Sequence, residues 1–486
     1  MLKYTFITVL LCIGLSFCSN PTAKEEVDKP NIVLILSDDV GYGDISCYGA
    51  TMINTPNIDK LASQGTQFTN YHTCGAVCKP TRYSILTGRY PIRRPEIDRF
   101  NWGDQFNINP DRLTLADLCK QHGYKTASIG KWHLGYGNEK KADWGSTLTP
   151  GPLEIGFDYH WGVPSNHNDN VRGYMENHKL HGLDPNIPYK LATRESNSVQ
   201  GLLHERVDDQ VDSTLTVKAM EFIRTNKDQP FLLYLTLCAA HTHITPSVRF
   251  RGTSDAGQYG DYVHELDSHV GEIMALLDEL ELAEETILIF TSDNGGQLRD
   301  VGSAGLGLNL ANESGDVAKK ARTAKIDARA MGHMTNLDLR EGKGSPYEGG
   351  FNVPCIIRWP KHIEAGTMSD KLISSADYLA TVADLLDQDI PEMEAEDSYS
   401  FADVLTGEKV TNPRTFTVMH SRPGRSFIDG DWKLVDFSYR RSPVDSVELF
   451  NLREDPYESI DLSEAEPERL NAMRNKLKEI SEGDLR

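Results

Sequence analysis

The chain is short of positive charge, of membrane-length apolar runs and of paired cysteines, and each shortage narrows what it can be. Lys and Arg number 50 against 71 Asp and Glu, a formal net charge of −21 over 486 residues. With no basic stripe to offset that balance, the composition argues against a nucleic-acid partner. An acidic protein that acts on an anion must instead concentrate positive charge inside the site itself. The apolar run at residues 4–17, behind Met1-Leu2-Lys3, is too short to span a bilayer. It has the layout of a secretory signal, which predicts export to the periplasm or to the outer membrane. Cys18 closes residues 1–18 and offers a lipoprotein-type anchor as the alternative to ordinary cleavage. Six cysteines remain beyond it, Cys47, Cys74, Cys78, Cys119, Cys238 and Cys355. None has a close metal-type pairing with histidine, and a chain of this size needs no disulfide framework. Cys119 and Cys238 lie in apolar runs and read as buried small hydrophobes. Internal repeats are absent, and the single biased stretch is Gly/Ala-rich, at residues 300–330.

What the chain does have is a set of buried strands that end in polar chemistry. Residues 30–37 are continuously apolar from Ile32 to Leu36, as in a strand covered on both faces of a parallel sheet, and they stop at Asp38-Asp39. Residues 287–292 stop at Asp293-Asn294-Gly295-Gly296, residues 125–129 at Gly130-Lys131-Trp132-His133, and residues 231–237 just before Ala239-Ala240-His241. In an open α/β sheet the carboxyl ends of the strands border the ligand crevice. Helix signals alternate with these runs. Thr55-Pro56 opens a helix that Gly65 closes, and Thr114 caps residues 115–122 ahead of Gly123. Val263, Leu266, Val270, Ile273, Met274, Leu277 and Leu280 form a core stripe at helical spacing. The alternation predicts an α/β fold, a doubly wound, mostly parallel sheet flanked by helices. Beyond the boundary the pattern changes to short strands at 415–420, 425–428, 432–437 and 447–452, with an Asp429-Gly430 turn and an amphipathic helix at 464–480. A chain too long for one core therefore divides into a catalytic domain at 28–410 and a small α+β subdomain at 411–486.

Asp38, Asp39, Asp293 and Asn294 place three carboxylates and an amide on two strand ends. All-oxygen ligands at that density suit calcium or magnesium rather than zinc, the alternative being that each pair merely forms turns and caps helices. Cationic groups cluster in the same positions. Arg82 lies one helical turn from Cys78, Lys131 and His133 follow the third strand, and Lys343 stands in Arg340-Glu341-Gly342-Lys343-Gly344. His241, with His243 beside it, follows the fourth. Each has a plain reading as a solvated charge or a hydrogen-bonded loop histidine, and together they supply the local positive charge that an anionic substrate needs.

The segment Cys78-Lys79-Pro80-Thr81-Arg82, with Ser84 to Gly88 behind it, resembles the signature of the type I, formylglycine-dependent sulfatases of the alkaline phosphatase superfamily. The Asp-Asp-Val-Gly, Asp-Asn-Gly-Gly and Glu348-Gly349-Gly350 contexts follow in that family's order. The resemblance implies an alkaline-phosphatase-like fold and a sulfuric ester hydrolase acting on sulfated carbohydrate outside the cytoplasm. It implies that a maturation enzyme oxidises Cys78 to formylglycine (3-oxoalanine), and that one calcium ion is held by Asp38, Asp39, Asp293 and Asn294 beside residue 78. A hydroxyl of the hydrated aldehyde would attack sulfur, helped by Arg82 and the cation. Lys131 and Lys343 would hold the sulfate oxygens, His241 would protonate the leaving alcohol, and His133 would take the proton that lets sulfate depart. Two rival readings stand beside it, a phosphonate or phosphate ester hydrolase of the same superfamily and a non-catalytic, exported glycan-binding protein.

The sequence departs from the family pattern in two places. Asn352 stands where arginine commonly follows Glu-Gly-Gly, and the connection from Gly296 to Lys343 is longer than in many members. Within it, residues 317–330 could form a helix carrying Lys319, Lys320, Arg322 and Lys325. That insert is either a solvated excursion or a rim that selects substrate. His167-Asn168-Asp169-Asn170 and Tyr174-Met175-Glu176-Asn177 are candidate sugar contacts.

Overall fold

The computed structural model describes residues 29–93, 105–193, 196, 198–297, 315–407, 409, 412–438 and 446–482, with side chains described throughout except at 315–322. The predicted export segment, Cys18 and the first part of the insert lie outside the described residues.

Ten strands form the main sheet. In chain order they are β1 (Asn31–Ser37), β2 (Thr66–Phe68), β4 (Lys125–Lys131), β5 (Tyr159–Val163), β6 (Met175–Glu176), β7 (Lys179–Leu180), β8 (Phe231–Thr236), β9 (Thr286–Ser292), β10 (Cys355–Arg358) and β11 (Thr367–Ser369). A separate two-stranded ladder pairs β3 (Tyr71–His72) with β12 (Ile373–Ser374). In space the main sheet runs β11-β2-β10-β9-β1-β8-β4-β5-β6-β7. The central strands β9, β1, β8, β4 and β5 are parallel, whereas β10 enters antiparallel between β9 and β2.

Helices cover both faces, which is why the central strands carry apolar residues without alternation. From β1, Ile32, Leu34 and Leu36 pack into a core with residues of α2 (Cys78–Thr87), α3 (Leu115–Gln121) and α8 (Tyr378–Leu385). Val33 and Ile35 face the opposite core, built with α1 (Pro56–Ser63), α4 (Val211–Asn226) and α5 (Gly257–Glu279). Burying one such aliphatic side chain is worth roughly 1.5–3 kcal/mol, so a strand buried on both faces is among the strongest contributors to stability.

The helix boundaries follow local chemistry. Thr114 accepts the Asp117 amide at 3.1 Å and closes a capping box at the start of α3. Thr55 precedes Pro56, yet its hydroxyl bonds Ser46 instead of capping the helix. β4 continues two residues past the predicted end and carries Lys131 as its last residue. The predicted helix of the insert is α6 (Gly315–Ala330), and its Ala324 and Ala328 are buried in the second core. Through these residues the described part of the insert packs onto α5.

The C-terminal strands β13 (Phe416–His420), β14 (Arg425–Asp429), β15 (Trp432–Asp436) and β16 (Val447–Asn451) make an antiparallel meander, covered by α10 (Pro467–Glu482) through Met473, Leu477 and Ile480. The sheet docks onto the chain just ahead of α2, because the His420 amide donates to Cys74 O and the Ala76 amide to His420 O, both at 2.9 Å. A second clamp is ionic. Lys433 Nζ sits 2.7 Å from Glu348 Oε1 and 2.7 Å from Glu458 Oε1, and His72 Nε2 meets the other Glu348 oxygen at 2.8 Å. Glu348 opens the short helix α7 (Glu348–Phe351). Asn352, the departure from the family pattern, donates to Glu348 Oε2 and accepts from Tyr42, so its role is structural.

Candidate active site

The strand order decides the site. β9, β1, β8 and β4 are consecutive neighbours, so Asp293-Asn294, Asp38-Asp39, the His241 loop and Lys131 emerge side by side at one edge. Backbone bonds lock two of them together, with the Asp38 amide donating to Ala239 O at 2.9 Å and the Ala240 amide to Asp38 O at 2.7 Å. Beneath the His241 loop, the buried Asp212 carboxylate receives the Cys238 and Ala239 amides at 2.7 and 2.9 Å.

Cys78 is the first residue of α2, where unsatisfied amides and the helix dipole favour negative charge. The thiol is buried, with Lys131 Nζ at 3.2 Å, Lys343 Nζ at 3.6 Å and Asp38 Oδ1 at 3.4 Å. Lys131 also meets Asp38 Oδ2 at 2.5 Å, and Lys343 meets Asp39 Oδ1 at 2.5 Å. Arg82, one turn along α2 and fully buried, donates through Nε and Nη2 to Asp293 Oδ2 at 3.0 and 2.7 Å and through Nη1 to Lys131 O at 2.6 Å. Arg82 is thus a bracket between the two strand ends. The six cysteines from Cys47 onward are all free, and Cys119 and Cys238 are buried, in keeping with a packing role.

Titration follows this geometry. Burial pushes the Asp38 carboxyl up, but Lys131 and His241 outweigh it and hold it at about 2. Asp39 lies well below the ordinary range because Lys343 and Lys325 outweigh its burial. Asp293 rises to about 6, since burial and Asp38 together exceed the pull of Arg82. Burial, Asp293 and Asp38 push the Cys78 thiol up to about 12 against the two lysines, so the unmodified side chain is a neutral thiol. Burial and the neighbouring lysines bring His241 down to about 3 despite Asp38, and they hold His133 well below the usual imidazole range.

The donor set suits a hard divalent cation. Ligand atoms of Asp38, Asp39, Cys78 and His241 lie within 4.8 Å of one another. Asn294 Nδ2 donates to Asp39 Oδ1 at 2.9 Å, leaving Asn294 Oδ1 buried with no hydrogen-bond partner. An orphaned buried acceptor among carboxylates is what a cation would satisfy.

The structure separates the two stretches singled out as sugar contacts. Asn168, Asp169 and Asn170, together with Asn166 and Trp144, line a cleft of about 580 Å³ that opens onto His241 and Lys343. Glu176 and Asn177 instead line a different hollow with Thr147 and His181. His243 is buried, whereas His241 lies on the cleft. One site residue had no individual signal in the sequence. Lys325, one of several basic residues in the insert, is buried with Nζ 3.3 Å from Asp39 Oδ2. A lysine in an Ala- and Lys-rich helix reads as solvated, and only its burial sets it apart.

Comparison with known proteins identifies the family. The sulfatase family model matches residues 30–388, and the model described as N-sulphoglucosamine sulphohydrolase, C-terminal, matches residues 342–483. An N-acetylgalactosamine-6-O-sulfatase of Bacteroides thetaiotaomicron is 31% identical over 515 residues, covering 96% of each chain. Human steryl-sulfatase is also 31% identical, over 87% of this chain and 78% of that protein. A solved structure from work on glycosaminoglycan metabolism by B. thetaiotaomicron superposes with a TM-score of 0.83 at 32% identity, covering 93% of this chain and 99% of that one. A phosphonate monoester hydrolase of Silicibacter pomeroyi shares the fold alone, with a TM-score of 0.62 at 15% identity over 94% of this chain and 96% of that one. With the family model matched across most of its length and relatives of that identity along nearly all of it, the chain belongs to the sulfatase family and is a sulfuric ester hydrolase.

Proposed function

We propose that this enzyme removes sulfate from carbohydrate, with Cys78 converted to formylglycine and one calcium ion held by Asp38, Asp39, Asp293 and Asn294. The observation that carries the reading is the pair of lysine ammoniums at 3.2 and 3.6 Å from residue 78, beside three carboxylates and an orphaned amide oxygen. In place, the aldehyde hydrate would supply the attacking hydroxyl, and the cation would stabilise negative charge on the sulfuryl oxygens. The chain's own residues do the rest. Lys131 and Lys343 bind anionic oxygens, and Arg82 keeps Asp293 and Lys131 in register. His241, on the cleft side, would donate to the leaving oxygen once the negative charge of the bound sulfate offsets the lysines that hold it low. His133 is the base for sulfate release.

Carbohydrate is favoured by the wall of the cleft. Asn166, Asn168 and Asn170 offer amides suited to hydroxyl groups, and Trp144 offers an aromatic edge. The sugar named for the bacterial relative agrees, while the steryl relative at equal identity shows that overall identity does not choose between substrates. Export through the N-terminal segment and modification by a formylglycine-generating enzyme belong to the same reading.

The test uses protein from a host with that maturation activity. Mass spectrometry of the residue-78 peptide should show loss of the thiol. The enzyme should turn over defined sulfated oligosaccharides faster than aryl sulfates or phosphonates. Cys78→Ala should lose at least ~10³-fold in kcat with its fold intact. Full activity in Cys78→Ala would refute the nucleophile, and preference for phosphonate would favour the rival ester hydrolase.

A further inference from the structure

Asp39 is held from three directions. Its Oδ1 receives Lys343 Nζ at 2.5 Å and Asn294 Nδ2 at 2.9 Å, and its Oδ2 receives Lys325 Nζ at 3.3 Å. Lys325 comes from α6, whose neighbouring residues Ala324 and Ala328 let that helix sit close on α5. The ammonium is 5.9 Å from the ring centroid of Tyr259 on α5. The chain beyond α6 is clamped to the same loop. His333 Nε2 meets Asp44 Oδ1 at 2.7 Å, Tyr259 donates to Asp44 Oδ2 at 2.9 Å, and Asn336 bonds both backbone groups of Gly296 at 2.8 and 3.0 Å. Lys325 is therefore delivered by a packed helix, and its side chain is only 5% exposed.

Charge counting shows what that delivery does. Among the described residues of the centre, the carboxylates of Asp38, Asp39 and Asp293 face Arg82, Lys131, Lys343 and Lys325. Without Lys325 the side chains balance; with it they carry one surplus positive charge before any divalent ion is added. A like charge beside a metal ligand weakens cation binding and strengthens anion binding, by amounts that are large in a partly desolvated site.

We propose that Lys325 is a positioning residue and fixed counter-charge of the metal centre: it holds Asp39 in place before a cation binds, lowers the affinity for that cation, and raises the affinity for the sulfate group. The insert thereby acts through the electrostatics of the centre, in addition to any contact it makes at the rim. This inference rests on the divalent-cation reading of Asp38, Asp39, Asp293 and Asn294.

The sign of the effect distinguishes this role from simple structural support. Calcium affinity is measured by isothermal titration calorimetry on the purified full chain, and inorganic sulfate is measured as an inhibitor of aryl sulfate turnover. Lys325→Met should bind calcium at least about tenfold more tightly, while the inhibition constant for sulfate rises at least about threefold. Lys325→Arg, which keeps the charge, should restore both values towards wild type. Lys325→Gln carries the same expectation should the methionine variant not fold. Calcium affinity that is unchanged or weaker in the neutral variants would overturn the proposal. Absence of calcium binding by the wild-type chain would overturn the metal reading itself, and this inference with it.

Discussion

Lys433→Met tests whether the C-terminal sheet is a structural part of the active site. Lys433 Nζ is wholly buried between Glu348 Oε1 and Glu458 Oε1, each 2.7 Å away. Replacing the ammonium with a thioether of similar length leaves two buried carboxylates facing each other with no ammonium between them. Breaking such a pair costs about 3–5 kcal/mol. Unfolding entropy of roughly 2 cal/mol/K per residue amounts to about 1 kcal/mol per degree for one cooperative unit of this size, so Tm should fall by about 3–5 °C. The loss should be partly reversed by adding Glu458→Gln, which removes one unpaired charge while its carbonyl still accepts the Glu348 amide that now bonds Glu458 Oε2 at 2.7 Å. Activity should fall as well, because Glu348 opens the helix whose Gly350 carbonyl accepts the Gly295 amide beside Asn294. Differential scanning calorimetry and turnover of an aryl sulfate give both readouts. A Tm change below about 1 °C, or no recovery in the double variant, would refute the reasoning.

Two further predictions probe the frame around the centre. Gly295→Ala would place a Cβ 1.8 Å from Gly349 O, a backbone atom that cannot yield cheaply; turnover should drop at least tenfold and calcium affinity should weaken as the Asp293-Asn294 loop shifts, and wild-type values in both would contradict that packing. His269 on α5 lies 3.2 Å from Glu272 and 3.6 Å from Glu265, with Asp212 of α4 near it and Arg249 on the far side of Glu272. Although burial opposes it, these carboxylates raise His269 to about 9, so its stabilisation is complete below the ordinary imidazole value near 6.5 and is lost as pH rises through about 9. The ceiling on that loss is ~3 kcal/mol, and urea unfolding at pH 6.5 and 9 should show the slope in the wild type and lose it in His269→Gln.

Much of the fold and of the centre was legible in the sequence because the informative residues are local. A strand buried on both faces must be apolar throughout, so its end is marked by the first polar residues, and Asp38-Asp39, Asp293-Asn294 and the His241 loop mark three such ends. The fourth end was read two residues early, because β4 carries Ser128, Gly130 and Lys131 within it and burial there rests on pairing with β8 and β5. Likewise the antiparallel entry of β10 leaves no trace in its composition, since parallel and antiparallel central strands are equally apolar. The asparagine-rich loop looked no different from the β6 hairpin; folding put the first on the cleft and the second elsewhere.

Sequence alone singled out residue 78, the oxygen-rich residues and the cations near them, because Asp38-Asp39, Asp293-Asn294, Lys131 and the His241 loop close apolar strands and Cys78 and Arg82 share one short motif. Tertiary structure alone decided the buried charges that act at long range. Lys433 meets Glu348 from 85 residues away, and Lys325 meets Asp39 from 286. A lysine has the same composition signal whether it is solvated or buried. Only the three-dimensional arrangement supplies the carboxylate that makes its burial affordable, and with it the extra positive charge at the centre of this sulfatase.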